Sequence, residues 1–163
     1  MTQTTSRTSD AAKLVVSLLA PLLVGVVGGV VTAPAIGAWY AGLKKPAFNP
    51  PAAVFGPAWT VLYLLMGVAF FLVWRRAAVA PLARFAMAAF GVQLALNLAW
   101  SLLFFGLRSP LLGLVDIILL WLAILITIVY FFRVSTAAGV LMLPYILWVT
   151  FAAALNFSIW TMN

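Results

Sequence analysis

Two carboxylates, Asp10 and Asp116, are the whole acidic inventory of this chain, which has no His and no Cys. A disulfide, a thiolate nucleophile and a His- or Cys-ligated metal site therefore lie outside its chemistry. Carboxylate-pair catalysis would need both acids, and Asp10 belongs to the polar stretch MTQTTSRTSD, so no acid–base or metal catalytic site is expected. The remaining chemistry is aromatic and amide. Trp59 and Tyr63 stand at i, i+4 and share a helical face with Gly67; Gln93, Asn97 and Ser101 repeat at the same interval; Tyr145, Trp148, Ala152 and Asn156 follow at spacings of three and four. Each set is one polar-aromatic stripe.

Such stripes have two readings. Amides are costly in hydrocarbon unless they face the interior of a bundle, so the three stripes should converge there. A mostly apolar pocket oriented by a few polar groups is one outcome; Gln93, Asn97 and Asn156 acting only as glue between helices is the other. Of the seven Trp, Trp39, Trp74 and Trp160 fall at span ends, where an interfacial aromatic belt accounts for them. Trp59, Trp100, Trp121 and Trp148 fall within spans, where an indole N–H needs a partner that lipid tails do not supply. Asp116, about two turns into its span, reads either as a proton-relay group or as a carboxylate near the positive end of a helix, paired with a polar neighbour.

The elements that must position these groups follow from composition. Of 163 residues, 67% are hydrophobic and 7% charged, with a mean hydropathy of +1.23, so the chain is an integral membrane protein whose partner is the lipid bilayer. Its cations fall singly or in pairs between apolar runs, a pattern of membrane topology and not of nucleic-acid binding. The expected fold is an all-α, five-helix membrane bundle with spans at Ala12–Ala33, Pro57–Trp74, Pro81–Phe105, Pro110–Phe132 and Ala138–Trp160. Residues 1–11 form a polar, disordered tail, and residues 12–163 one domain. Pro57, Pro81 and Pro110 mark helix starts, while Pro21 and Pro144 predict local kinks or tightened turns. The first span is too long for a cleaved signal peptide.

Between the first two spans lies PAIGAWYAGLKKPAFNP, about 17 residues from Pro34 to Pro50. It is either a lid over a site or an interfacial connector anchored by Trp39 and Tyr40; the lid residues would be Lys44, Lys45, Pro46, Phe48, Asn49 and Pro50. Six cations (Arg7, Lys13, Arg75, Arg76, Arg84, Arg133) fall on the N-terminal side of five alternating spans and three (Lys44, Lys45, Arg108) on the other. The positive-inside rule then places the N-terminus in the cytoplasm, with a bacterial inner membrane preferred over an outer membrane. Gly25 and Gly29, with Gly28 between them, give a GxxxG face that predicts close helix packing inside the bundle or between subunits.

The segments WYAGLKKPAFNPP (Trp39–Pro51), VFGPAWTVLYLLMG (Val54–Gly67), QLALNLAWSLLFFG (Gln93–Gly106) and PYILWVTFAAALNFSIW (Pro144–Trp160) resemble, in order and spacing, the tryptophan-rich sensory protein/translocator protein family, also called the peripheral benzodiazepine receptor family. The resemblance covers about Ala20–Trp160. It implies a five-helix bundle, commonly a homodimer, that binds porphyrin- and haem-type tetrapyrroles without covalent attachment. Benzodiazepine- and isoquinoline-type ligands use the same pocket, beneath the loop between the first two helices. Carried onto this sequence, the pocket residues are Tyr40, Trp59, Asn97, Trp100, Trp148, Ala152 and Asn156; the stripes add Tyr63 and Gln93. Where many relatives have an aromatic residue, this chain has Ala53 and, in place of the usual Trp, Phe48, which implies a lid less able to stack on a porphyrin. The sterol-recognition pattern of animal members is broken by Phe157 and by the lack of a cation in Ser158–Asn163, so cholesterol binding is unsupported.

Three functions remain open on these grounds. The first is a membrane protein that binds tetrapyrroles for sensing, trafficking or sequestration, with Lys44 and Lys45 meeting the propionates. The second is an enzyme: some bacterial relatives are implicated in light- and oxygen-dependent porphyrin breakdown, and the corresponding residues here, Trp59 and Trp148, would then be catalytic. The third, a small-molecule transporter, is disfavoured by the single intramembrane acid and by the lack of an inverted repeat.

Overall fold

The computed structural model describes residues 2–163, with side chains from Asp10 onward. The disordered tail expected before Ala12 therefore falls almost wholly outside the described side chains. The described residues are all-helical: α1 (Thr2–Ala35), α2 (Ala52–Trp74), α3 (Ala83–Ser101), α4 (Pro110–Val134), α5 (Thr136–Leu141) and α6 (Leu143–Met162). A widened π turn continues α1 over Ile36–Tyr40, and another continues α3 over Leu102–Gly106. Counted as continuous spans, with α5 and α6 together, five helices are long and apolar enough to cross a membrane.

Proline explains where the boundaries depart from the sequence expectation. The first span does not stop before Pro34 but runs to Tyr40. Pro34 removes one intrahelical donor, and the π turn two residues later, in which the N–H of Ala41 reaches Ile36 O, absorbs the irregularity. The connector is correspondingly shorter, with its non-helical part between Leu43 and Pro51. The second span starts at Ala52, not Pro57. Pro51, extended at φ −55° and ψ 143°, is its N-cap, and Pro57 is carried inside the helix. Pro110 does begin α4, where the Ser109 hydroxyl accepts from the backbone N–H of Leu112 at 3.3 Å. Near Pro144 the last span tightens as expected: Met142 donates to Gly139 O at 3.2 Å, three residues back, and divides α5 from α6.

Glycines set the closest approaches. A Cβ on Gly67 of α2 would lie 2.8 Å from Ser17 O and 2.9 Å from Leu18 Cα of α1. Ser17 O is the carbonyl that Pro21 leaves without a helical donor, and the bare Cα of Gly67 is what fits against it. Gly25 packs against the ring of Tyr63 and Gly28 against the hydroxyl of Ser101. Two of the three glycines in the GxxxG face thus serve contacts within the bundle. The main apolar core is built from α2 to α6 around Met66, Phe90, Ile124, Phe131 and Tyr145. A smaller cluster, Phe104, Leu155 and Ile159, lies beside Trp39, Tyr40 and Phe105 at the lid end.

Candidate ligand-binding site

Between the two clusters is a cavity of about 530 Å³ walled by α1, α2, α3, the second π turn and α6. α4 contributes no residue to it. Of the expected pocket residues, Tyr40, Trp59, Tyr63, Asn97, Trp100, Trp148, Ala152 and Asn156 all line it. Gln93 does not. It is fully buried one helical turn from Asn97, with its Nε2 4.0 Å from the sulfur of Met66 and its Oε1 without a partner. A polar layer closes the floor between Gln93 and the cavity. In that layer Tyr63 donates to Asn97 Oδ1 at 2.8 Å, and Asn97 Nδ2 donates to the Tyr145 hydroxyl at 3.0 Å.

A second fixed amide stands on α6. Asn156 accepts from the indole N–H of Trp100 at 3.0 Å and donates to Pro110 O at 2.8 Å, tying α3, α4 and α6 together at one buried side chain. Both Asn97 and Asn156 therefore hold helices and border the cavity at once. Trp121, which lies off the cavity, donates to Thr150 Oγ1 at 2.8 Å. Trp59 and Trp148 differ from these: among the described residues neither indole N–H has an acceptor. Their rings meet edge to face, with centroids 6.5 Å apart and planes at 83°. Trp59 also stacks on Tyr63 at 5.4 Å.

The lid is held at both ends. Tyr40 donates to Asn49 Oδ1 at 3.1 Å. The Asn163 side chain takes the backbone N–H of Lys44 at 3.0 Å and returns a donor to Lys44 O at 3.1 Å, with a further bond to Ile159 O at 2.8 Å. Of the six expected lid residues, Asn49 and Pro50 line the cavity, whereas Lys44, Lys45, Pro46 and Phe48 do not. Phe48 is 51% exposed and packs on the outer residue Phe151. Lys45 Nζ is engaged inside the loop, bonded to Leu43 O at 3.0 Å and 4.7 Å above the Tyr40 ring, whereas Lys44 is exposed.

Several cavity residues carry no signal in the stripes. Phe55 lies one turn before Trp59 and meets Trp148 at 6.0 Å. Phe104 and Phe105 come from the π turn, where Phe104 stacks on Trp100 at 5.1 Å. Asp116, on α4, is outside the cavity, and among the described residues its buried Oδ2 has no hydrogen-bond partner, so the pairing of the second reading is not seen at that atom.

Comparison with known proteins decides the family. Residues 17–161 match the model of the TspO/MBR family. The chain belongs to that family. It is 48% identical to the tryptophan-rich protein TspO of Archaeoglobus fulgidus over 151 residues, which cover 93% of this chain and 97% of the relative. It is 41% identical to the human translocator protein over 131 residues, 77% and 75% of the two chains. To the tryptophan-rich sensory protein of Cereibacter sphaeroides it is 40% identical over 125 residues, 77% of each chain. The chain is thus a multi-pass membrane protein of the TspO/MBR family.

Proposed function

We propose that this membrane protein binds porphyrin- or haem-type tetrapyrroles in the α1/α2/α3/α6 cavity, in a sensing, trafficking or sequestering role. The observation that carries the reading is the cavity's wall. Flat indole and phenol faces from Trp59, Tyr63 and Trp148 surround a mostly apolar space, and the two free indole N–H groups are donors with nothing to bond until a ligand arrives. Its volume of about 530 Å³ falls within the roughly 300–1,000 Å³ range of small-molecule sites. Benzodiazepine- and isoquinoline-type ligands, also flat and apolar, suit the same walls.

The test is a tryptophan-quenching titration with protoporphyrin IX in detergent. Replacing Trp59 and Trp148 together by Ala is expected to weaken binding by at least about tenfold, or ~1.4 kcal/mol; unchanged affinity refutes the site. The edge-to-face tryptophan pair also favours a second reading, light- and oxygen-dependent porphyrin breakdown, because electron-rich indoles beside a pigment need no acid–base group. Under illumination, loss of the Soret band with a defined product, abolished by Trp148→Phe, supports turnover; bleaching at the rate of free porphyrin supports binding alone.

A further inference from the structure

The mouth of the cavity is not where its lid is. α1 and α2 touch tightly where Gly67 meets Ser17 and Leu18 and where Gly25 meets Tyr63, and then diverge toward the lid: a Cβ on Gly29 or on Gly56 would meet no atom within 4 Å. Along that stretch Val26, Gly29 and Ala33 of α1 and Ala52, Gly56 and Thr60 of α2 line the cavity and are exposed, whereas the lining residues of α3 and α6 are all buried or half-buried; Val26 is 61% exposed. Together they edge a slot.

The slot's chemistry is that of a membrane. Its one hydroxyl, on Thr60, is spent on Gly56 O at 2.9 Å, so a bilayer can cover it without stranding a polar group. Two other approaches to the cavity are closed. At the lid end, Asn163 grips Lys44 by both its N–H and its C=O, and Tyr40 is bonded to Asn49. On the α2/α6 side an open apolar groove of about 710 Å³ runs past Val61 and Leu147, but Trp148 forms its back wall, braced edge to face by Phe55 and Trp59.

We infer that the α1/α2 slot is the ligand's entrance, and that the cavity is filled by an apolar, flat amphiphile already dissolved in the bilayer instead of one captured from water. The inference rests on the proposed binding function and adds the phase from which the ligand is drawn. A gate lies on the path in both directions while leaving the end states alone, so obstructing it slows association and dissociation by the same factor.

The absence of cysteine makes the experiment direct. Ala33→Cys, Gly56→Cys and, on the α2/α6 groove, Leu147→Cys are folded in liposomes and labelled afterwards with pyrene maleimide. Tryptophan quenching by protoporphyrin IX preloaded into the bilayer is then followed by stopped flow. Labels at positions 33 and 56 are expected to slow association and dissociation together by about tenfold, while the label at position 147 and the lid variant Asn163→Ala leave both rates unchanged. Unaltered rates with the slot labelled, slower association without matching slower dissociation, slowing by the label at 147, or faster association in Asn163→Ala each overturn the slot as entrance while leaving the binding function standing. Failure of the unlabelled protein to bind protoporphyrin IX at all overturns the binding function and the entrance with it.

Discussion

Asn156 illustrates how a single side chain can be structural and ligand-facing at once. It satisfies the Trp100 indole and the Pro110 carbonyl together, and each buried group left unpaired costs about 1–3 kcal/mol. Asn156→Leu, which keeps the branched heavy-atom skeleton and removes both bonds, is therefore expected to lower the Tm in detergent by on the order of 5 °C; an unchanged Tm shows that the two bonds contribute nothing net. Asp116 predicts the opposite behaviour. Its buried Oδ2 has no partner and its helix does not border the cavity, so Asp116→Asn removes a desolvation cost. The Tm should hold or rise and porphyrin affinity stay within about twofold; a large loss of affinity instead places the carboxyl in the ligand's path. Gln93 marks the limit of periodic reasoning. It shares the face of Asn97, but a stripe has no depth coordinate, and the Tyr63–Asn97–Tyr145 layer, of which Asn97 is a part, closes the floor of the cavity above Gln93.

At the scale of elements, five spans are legible because each is a long apolar run between charges, and the amide and indole stripes are legible because 3.6-residue periodicity places them on one face. The boundaries at proline are not. Pro34 and Pro57 read as a stop and a start, yet both sit in helical backbone. A bundle surrounded by lipid tolerates one lost bond more readily than an unpaired loop. Starting α2 at Pro57 also hides Phe55, one turn earlier on the same face as Trp59, and Phe104 and Phe105, three and four residues beyond Ser101, continue the α3 stripe as plain apolar rings that carry no amide or indole signal. Glycine gives the element-scale test. Gly67→Ala drives a methyl into α1 backbone and is expected to cost about 1–3 kcal/mol, whereas Gly91→Ala, with nothing within 4 Å of its Cβ, should be neutral or gain up to about 1 kcal/mol. Thermal unfolding of the pair checks both, and equal Tm values defeat the packing argument.

For the whole molecule, five crossings put Lys44 and Arg75 on opposite faces whatever the absolute orientation, and the cation asymmetry predicts that the face carrying Arg75 is cytoplasmic. In right-side-out vesicles from a bacterial inner membrane, a membrane-impermeant maleimide should react with Lys44→Cys and spare Arg75→Cys until the membrane is permeabilised. The reverse pattern inverts the topology without touching the cavity. No periodicity links residues 44 and 163, which are 119 positions apart, so the clamp between the lid and the end of α6 is visible only once the chain is folded.

That clamp bears on how the protein is handled in the laboratory. A fluorescent fusion or affinity handle joined after Asn163 would hang its bulk on the very side chain that secures Lys44, beside the roof of the cavity, whereas the same cargo placed before Thr2 would ride on a helix end far from it.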